Sequence, residues 1–190
     1  MPEDNIKSVV EALLFASDKP LLIEQVKNAL DNLSPGDIRK IFEDLKAEYE
    51  NANRGLRVIE IAGGFQMVTA SIFSGFIKKL YKDRNTDRLS RPALETLSII
   101  AYKQPLTKLE IESLRNVNVD GVMKSLQDKN LVRVVGRKNT PGRPKAYGTT
   151  RQFLEYFGLK ALDELPKIEN FPHPQVLEEQ NEVKQTTQTN

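Results

Sequence analysis

Apolar residues recur at the helical period in the first fifty residues. Proline cannot continue a helix interior, so Lys19-Pro20 ends a first helix, and residues 23–30 form a short second one. Ser34-Pro35 begins a third helix, because Ser caps and Pro suits the first helical position. The first helix has the spacing i, i+3, i+4, i+7, i+8 at Ile6, Val9, Val10, Leu13 and Leu14.

The period then changes. Residues 56–61 and 65–69 are rich in β-branched and apolar side chains and flank Gly63-Gly64, which predicts a hairpin. Residues 72–80 return to helical spacing. The predicted order is therefore three helices, a β-hairpin and a helix.

The same order repeats after residue 90, with helices, a hairpin and a final helix that Thr150 caps. Aligning Pro20 with Pro105 places Phe15 against Ile100 and Val26 against Ile111. Helix, helix, helix and hairpin is the arrangement of a winged helix, a helix-turn-helix variant with a β-wing. We predict a mainly α fold with small β-hairpins, built as two tandem winged-helix domains.

Composition shifts mark the boundaries of these units. We predict an N-terminal winged-helix domain at 1–81, a polar linker at 82–90 and a C-terminal winged-helix domain at 91–166. Residues 167–190 are acidic and rich in Pro, Glu and Gln, which predicts a disordered tail.

Candidate chemistry is sparse. The chain has no Cys, which excludes disulfides, thiol nucleophiles and Cys-bound metals. Its only His, His173, lies between two prolines in the tail, and no phosphate-binding, dinucleotide or nucleophile-elbow motif is present. We therefore predict no enzymatic activity, and no catalytic, cofactor-binding or metal-binding residues.

No apolar run approaches the roughly 20 residues of a membrane helix. The polar start, MPEDNIKS, is unlike a signal peptide. The sequence predicts a soluble, cytoplasmic protein with no membrane partner.

The net charge of +2 conceals three different segments. It is −1 over residues 1–86, +7 over 87–160 and −4 over 161–190. The predicted third helices do not carry the positive excess: residues 34–50 have a net charge of −2, and residues 118–129 are neutral. Neither helix suits the reading of DNA bases, which needs basic and amide side chains.

The positive charge concentrates instead around the second wing. Residues 131–151 hold six basic side chains and no acidic one. Such a wing suits a phosphate backbone or an acidic partner, and a solvated loop explains it equally well. Two interpretations are open for the nearby tyrosines: they form a recognition patch together with the wing, or they pack at the edge of the core. The candidate contact residues are Arg133, Arg137, Lys138, Arg143, Lys145, Tyr102 and Tyr147.

The second unit resembles a known family. Several runs are similar to the signature of segregation and condensation protein B: residues 91–105 (RPALETLSIIAYKQP), 118–122 (NVDGV), 133–138 (RVVGRK), 140–144 (TPGRP), 147–150 (YGTT) and 153–159 (FLEYFGL). Two residues depart from it: Asn116 stands where the family usually has Gly, and Val119 where it usually has Ser.

The resemblance implies an accessory subunit of the condensin-like complex. In that family two copies pair through the first winged helix, and the dimer binds the kleisin, segregation and condensation protein A (ScpA), which bridges the heads of the SMC ATPase. The family has no catalytic activity, supports chromosome compaction and partition, and works at the nucleoid. The alternative, motivated by the basic wing, is a DNA-binding transcription regulator. Weak nonspecific DNA contact is compatible with either.

Overall fold

The computed structural model describes residues 3–30, 33–81 and 88–167, with side chains from residue 6 onward. These residues form two winged-helix domains in tandem, which confirms the predicted fold class. Most of the predicted linker (82–87) and nearly all of the predicted tail, with His173, lie outside the described residues.

The N-terminal domain has three helices, a hairpin and a fourth helix. The two strands of the hairpin pair antiparallel, from Leu56 opposite Thr69 to Ile61 opposite Gly64. A 3-10 turn, Ser71–Phe73, leads into the last helix. The elements are α1 Glu3–Ala16, α2 Ile23–Ala29, α3 Pro35–Asn51, β1 Leu56–Ile61, β2 Gly64–Thr69 and α4 Ser74–Leu80.

Helix α3 and the hairpin enclose the first core. The rings of Phe42 and Phe65 stack with centroids 4.3 Å apart. Val10 and Leu14 of α1 and Val26 of α2 pack into the same buried cluster.

The C-terminal domain repeats this plan with one more strand. Its sheet has three strands, and the last of them in the chain lies between the other two and is antiparallel to both. A β-bulge at Val135 places one extra residue in the strand that enters the long wing loop. The elements are α5 Arg91–Lys103, β3 Leu106–Thr107, α6 Lys108–Arg115, α7 Asp120–Asp128, β4 Val132–Arg137, β5 Lys145–Thr149 and α8 Arg151–Phe157.

Local capping explains where several of these helices begin. Ser90 and Thr150 accept hydrogen bonds from the first-turn amides of α5 and α8. Helix α6 begins with a capping box, for which the spacing of Thr107 and Glu110 is typical: Thr107 accepts from the Glu110 amide at 3.3 Å, and Glu110 accepts from the Thr107 amide at 2.7 Å. The second core includes Leu89, from the described end of the predicted linker.

The repeat is real, but its residue alignment holds only after the prolines. Val26 and Ile111 are both fully buried, as predicted. The pairing of Phe15 with Ile100 is wrong, because Phe15 is 76% exposed and Ile100 is fully buried. The reason is that α5 runs to within two residues of its proline, whereas α1 ends four residues before Pro20.

The tip of the first hairpin touches the C-terminal domain. The Ala62 amide donates to the Leu159 carbonyl at 2.9 Å, and Lys160 Nζ lies 4.0 Å from Glu60 Oε2. The Arg151 guanidinium lies against Gly64, with Nε and Nη2 buried. We call this set the interdomain contact.

Candidate functional site: a basic wing and an exposed apolar helix

Strands β4 and β5 and the loop at 138–144 form the second wing, which we call the basic wing. Arg137 lies directly opposite Lys145 in the register, and Arg133 lies opposite Gly148. These three basic side chains are exposed, as is that of Arg143 in the loop. The wing therefore presents four cations to solvent.

Hydrogen bonds fold the loop of the basic wing onto itself. The Lys138 amide donates to the Pro144 carbonyl at 3.0 Å, and the Arg143 amide donates to the Thr140 carbonyl at 2.8 Å. Gly142 and Arg143 have φ of 81° and 41°. The positive φ at position 142 favours glycine, which explains the Pro141-Gly142 pair in this turn. Arg137 Nη1 also donates to the Arg143 carbonyl at 3.1 Å. These bonds fix the loop and hold the Arg137 guanidinium against the backbone of Arg143.

Lys138 differs from the other predicted wing cations. Its Nζ lies 2.7 Å from Glu110 Oε1, at the start of α6. The hydrogen bond from Lys138, together with those from Thr107, lowers the pKa of Glu110 from 4.5 to about 2. Lys138 is thus paired within its own domain, and sequence reasoning did not single out Glu110 as its partner.

The two candidate tyrosines each have a structural contact. The Tyr102 hydroxyl donates to the Pro166 carbonyl at 2.6 Å. Tyr147 lies opposite Leu106 in the sheet and packs against the second core. These positions favour the core-edge interpretation of both residues.

Helix α7, which would enter the groove in a DNA-reading winged helix, begins with an acid. Asp120 is exposed and forms an ion pair with Lys108 of α6. The hydrogen bond from Lys108 holds the pKa of Asp120 below its ordinary value. Val119 makes no side-chain cap, and its amide donates to Glu112 Oε1 at 3.2 Å instead.

A second candidate surface is the apolar face of α4 and the turn before it, which we call the α4 face. The spacing correctly predicted a helix here, but these side chains do not join the first core. Spacing alone does not show whether an apolar stripe packs inside its own domain. Ile72 is 75% exposed, Phe76 71% and Leu80 73%.

Two features are missing from the described residues. Among them, no cluster of three or more His, Cys, Asp or Glu side chains could hold a metal ion. No helix in the same part of the chain has both the length and the apolarity that crossing a membrane requires. The described residues thus form a tandem winged-helix protein with one exposed basic surface and one exposed apolar surface.

The chain belongs to the ScpB family. Residues 8–168 match the family model described as "Segregation and condensation complex subunit ScpB". The segregation and condensation protein B of Syntrophotalea carbinolica is 46% identical over 166 residues, covering 87% of this chain and 83% of that protein.

Two solved structures are also similar. ScpB from Mycobacterium tuberculosis is 31% identical, covers 84% of this chain and 98% of that one, and has a TM-score of 0.42. The other is described as a dimer of the ScpB N-terminal domain complexed with an ScpA peptide. It is 31% identical, covers 40% of this chain and 95% of that one, and has a TM-score of 0.38.

Proposed function

We propose that this protein is a non-enzymatic subunit of an SMC–kleisin complex. It pairs with a second copy through its N-terminal domain, and the homodimer binds the kleisin ScpA. Through the kleisin it joins the SMC ATPase, and the complex works on the chromosome in the cytoplasm, at the nucleoid. Membership of the ScpB family supports this proposal, and the relative solved as a dimer with an ScpA peptide supplies the named partner.

The observation on this chain that carries the proposal is the exposure of the α4 face. Ile72, Phe76 and Leu80 are all more than 70% exposed, although each is large and apolar. Fully burying such a side chain is worth about 1.5–3 kcal/mol. A contiguous apolar surface of this kind typically marks a protein interface.

The charge distribution weighs against the alternative, a transcription regulator. Helix α7 is short, begins with the paired Asp120 and has Lys124 and Asp128 of opposite sign. Helix α3 is acidic overall. A base-reading helix needs side chains that donate to base edges without repelling phosphates, and neither helix supplies them.

The dimer is tested by Phe76→Glu combined with Leu80→Glu. The charges would be buried in the interface, so we expect the mass by light scattering to fall from twice the 21.5 kDa chain mass to that mass at micromolar concentration. Leu109→Glu is the matched control, because Leu109 is 77% exposed but lies in the C-terminal domain. A wild-type monomer, or a double variant that stays dimeric, contradicts the assignment.

The kleisin is tested by co-purification with ScpA from the same cell and measurement of the complex mass. We expect a stable complex that contains two copies of this chain. Separate elution of the two proteins contradicts the proposal. The same experiment with the double variant shows whether kleisin binding needs the dimer.

A further inference from the structure

The two wings of this protein are in different situations. The first wing turns in two residues, Ala62 and Gly63, and its tip lies in the interdomain contact, where Ala62 is only 4% exposed. The basic wing has a loop of seven residues, at 138–144, and four exposed cations. Only the basic wing is therefore accessible to a partner along both strands.

The cations of the basic wing lack the acidic neighbours found elsewhere in the domain. Within the described part of the chain, no ion pair involves Arg133, Arg137, Arg143 or Lys145. The acid that reaches the wing, Glu110, is bound to Lys138. Arg137 and Lys145 lie directly opposite one another, and like charges in that position destabilise a sheet. An anionic partner would relieve this repulsion.

The arrangement also indicates the kind of anion. Arg133 and Arg137 lie four residues apart on a strand that rises about 3.3 Å per residue, so the charges are spread along a ribbon rather than gathered in a pocket. The exposed apolar side chains of the basic wing are the two valines of β4, Val134 and Val135, and the loop adds no large one. Protein interfaces are usually anchored by larger side chains such as Trp, Tyr and Arg, and valine is under-represented among such anchors. Three of the four cations are arginines, whose planar guanidinium groups match phosphate oxygens in bidentate fashion.

We propose that the basic wing binds the phosphate backbone of duplex DNA, without sequence preference, through Arg133, Arg137, Arg143 and Lys145. Bases are not read, because α7 presents Asp120 at the end that would enter the groove. This contact goes beyond kleisin binding and does not depend on it. Four phosphate contacts give a slope of about −3.6 in log K against log salt for each wing.

The experiment measures fluorescence anisotropy of a labelled duplex with the full chain, between about 50 and 200 mM KCl. We expect equal affinity for two unrelated sequences and a steep salt dependence. Arg137→Glu combined with Arg143→Glu should weaken binding at least about tenfold and reduce the slope by about half, since two of the four contacts are lost.

Lys124→Glu is the matched control, because Lys124 is an exposed cation of the same domain that lies on α7. It should leave both the affinity and the slope close to wild type. Circular dichroism confirms that each variant is folded. The Phe76→Glu, Leu80→Glu double variant should still bind DNA through the basic wing. Failure of the proposed dimer and failure of this inference are therefore distinguishable.

Four results would overturn the inference. If the full chain does not bind the duplex at low salt, the inference is wrong. If Lys124→Glu lowers the affinity for DNA as much as the wing variant does, the DNA contact lies on α7. A clear preference for one duplex sequence indicates base reading. Tighter binding of poly-glutamate than of DNA at equal salt, lost in the wing variant, reassigns the wing to an acidic protein segment.

Discussion

Asn116 ends helix α6 in the left-handed region, with φ of 52° and ψ of 25°. This conformation explains the departure from the family signature, because Asn is among the few residues other than Gly that enter this region easily. The turn between α6 and α7 therefore keeps a glycine-like geometry without a glycine.

The first prediction concerns this residue. Asn116→Ala should lower the stability of the C-terminal domain by about 1 kcal/mol, because Ala enters the left-handed region at a cost. Asn116→Gly should cost nothing or stabilise slightly. Urea unfolding followed by circular dichroism measures both, and equal losses in the two variants contradict the argument.

The second prediction concerns pH. Because Lys138 and Thr107 lower the folded pKa of Glu110 to about 2, the charged form stabilises the fold. That stabilisation is complete above the ordinary pKa of 4.5 and is lost as the pH falls towards about 2. Glu110→Gln should flatten the fall in stability over this window and lower the stability at neutral pH.

Unfolding midpoints at several acidic pH values measure the effect of Glu110. Glu155→Gln, on α8 of the same domain, is the control, because no side-chain hydrogen bond or ion pair of Glu155 is found among the described residues. A wild-type Glu110 that titrates near its ordinary pKa in an NMR experiment contradicts the pairing.

Sequence reasoning reached some residues and not others, for a physical reason. The capping box of α6 is local, so Thr107 and Glu110 could be predicted from spacing. The pairing of Lys138 with Glu110 joins residues 28 apart in the chain, and only the folded domain brings them together. The sequence could not distinguish Lys138 from Arg137, although the structure places them in different environments.

At the scale of elements, the first hairpin turns through an unusual pair. Ala62 and Gly63 have φ of 49° and 69°, the pattern of a type I′ turn, which favours Asn-Gly or Gly-Gly. Ala62 adopts this conformation at a buried position in the interdomain contact. The place of a polar turn residue is therefore taken by a small apolar one.

The third prediction separates the turn from the contact. Ala62→Gly should stabilise the N-terminal domain by about 1 kcal/mol by relieving the positive φ. Ala62→Asn suits the turn equally well, but it places a polar amide side chain in the buried interdomain contact. We therefore expect it not to show the gain in stability. Thermal unfolding compares the two variants, and an equal gain from both would contradict burial as the reason for Ala.

Helices and hairpins could be predicted from the period of the hydrophobic residues, because that pattern lies within each element. What each element packs against could not be predicted in this way. The α4 stripe and Phe15 both have core-like spacing, yet they are exposed because the first core is already closed by α3 and the hairpin.

For the whole molecule, the main feature is a pair of hydrophobic cores that share no residue. The interdomain contact includes one backbone hydrogen bond, one long ion pair and the Arg151 guanidinium packed against Gly64, which is little compared with either core. The two domains should therefore unfold as separate units.

The fourth prediction tests this independence. Phe42→Ala should destabilise the N-terminal domain by about 3–5 kcal/mol, and Leu126→Ala the C-terminal domain by about 2–5 kcal/mol. Hydrogen exchange read by mass spectrometry should show lost protection in the mutated domain alone. Equal loss in both domains from either substitution would mean one cooperative unit.

The internal repeat could be predicted because each unit carries its own complete pattern. The interdomain contact could not, since it joins residues near 62 to residues near 159 through backbone atoms whose partners no side-chain pattern specifies.

The interdomain contact has one more consequence in the proposed dimer. By packing the first hairpin against the end of α8, it sets the position of each basic wing relative to the half of the protein that self-associates. The two basic wings of the dimer would then be weak DNA sites at a fixed separation. A duplex long enough to span both gains avidity, because the second site is present at a high effective concentration. A duplex too short to span them gains nothing, so affinity should rise in a step with DNA length.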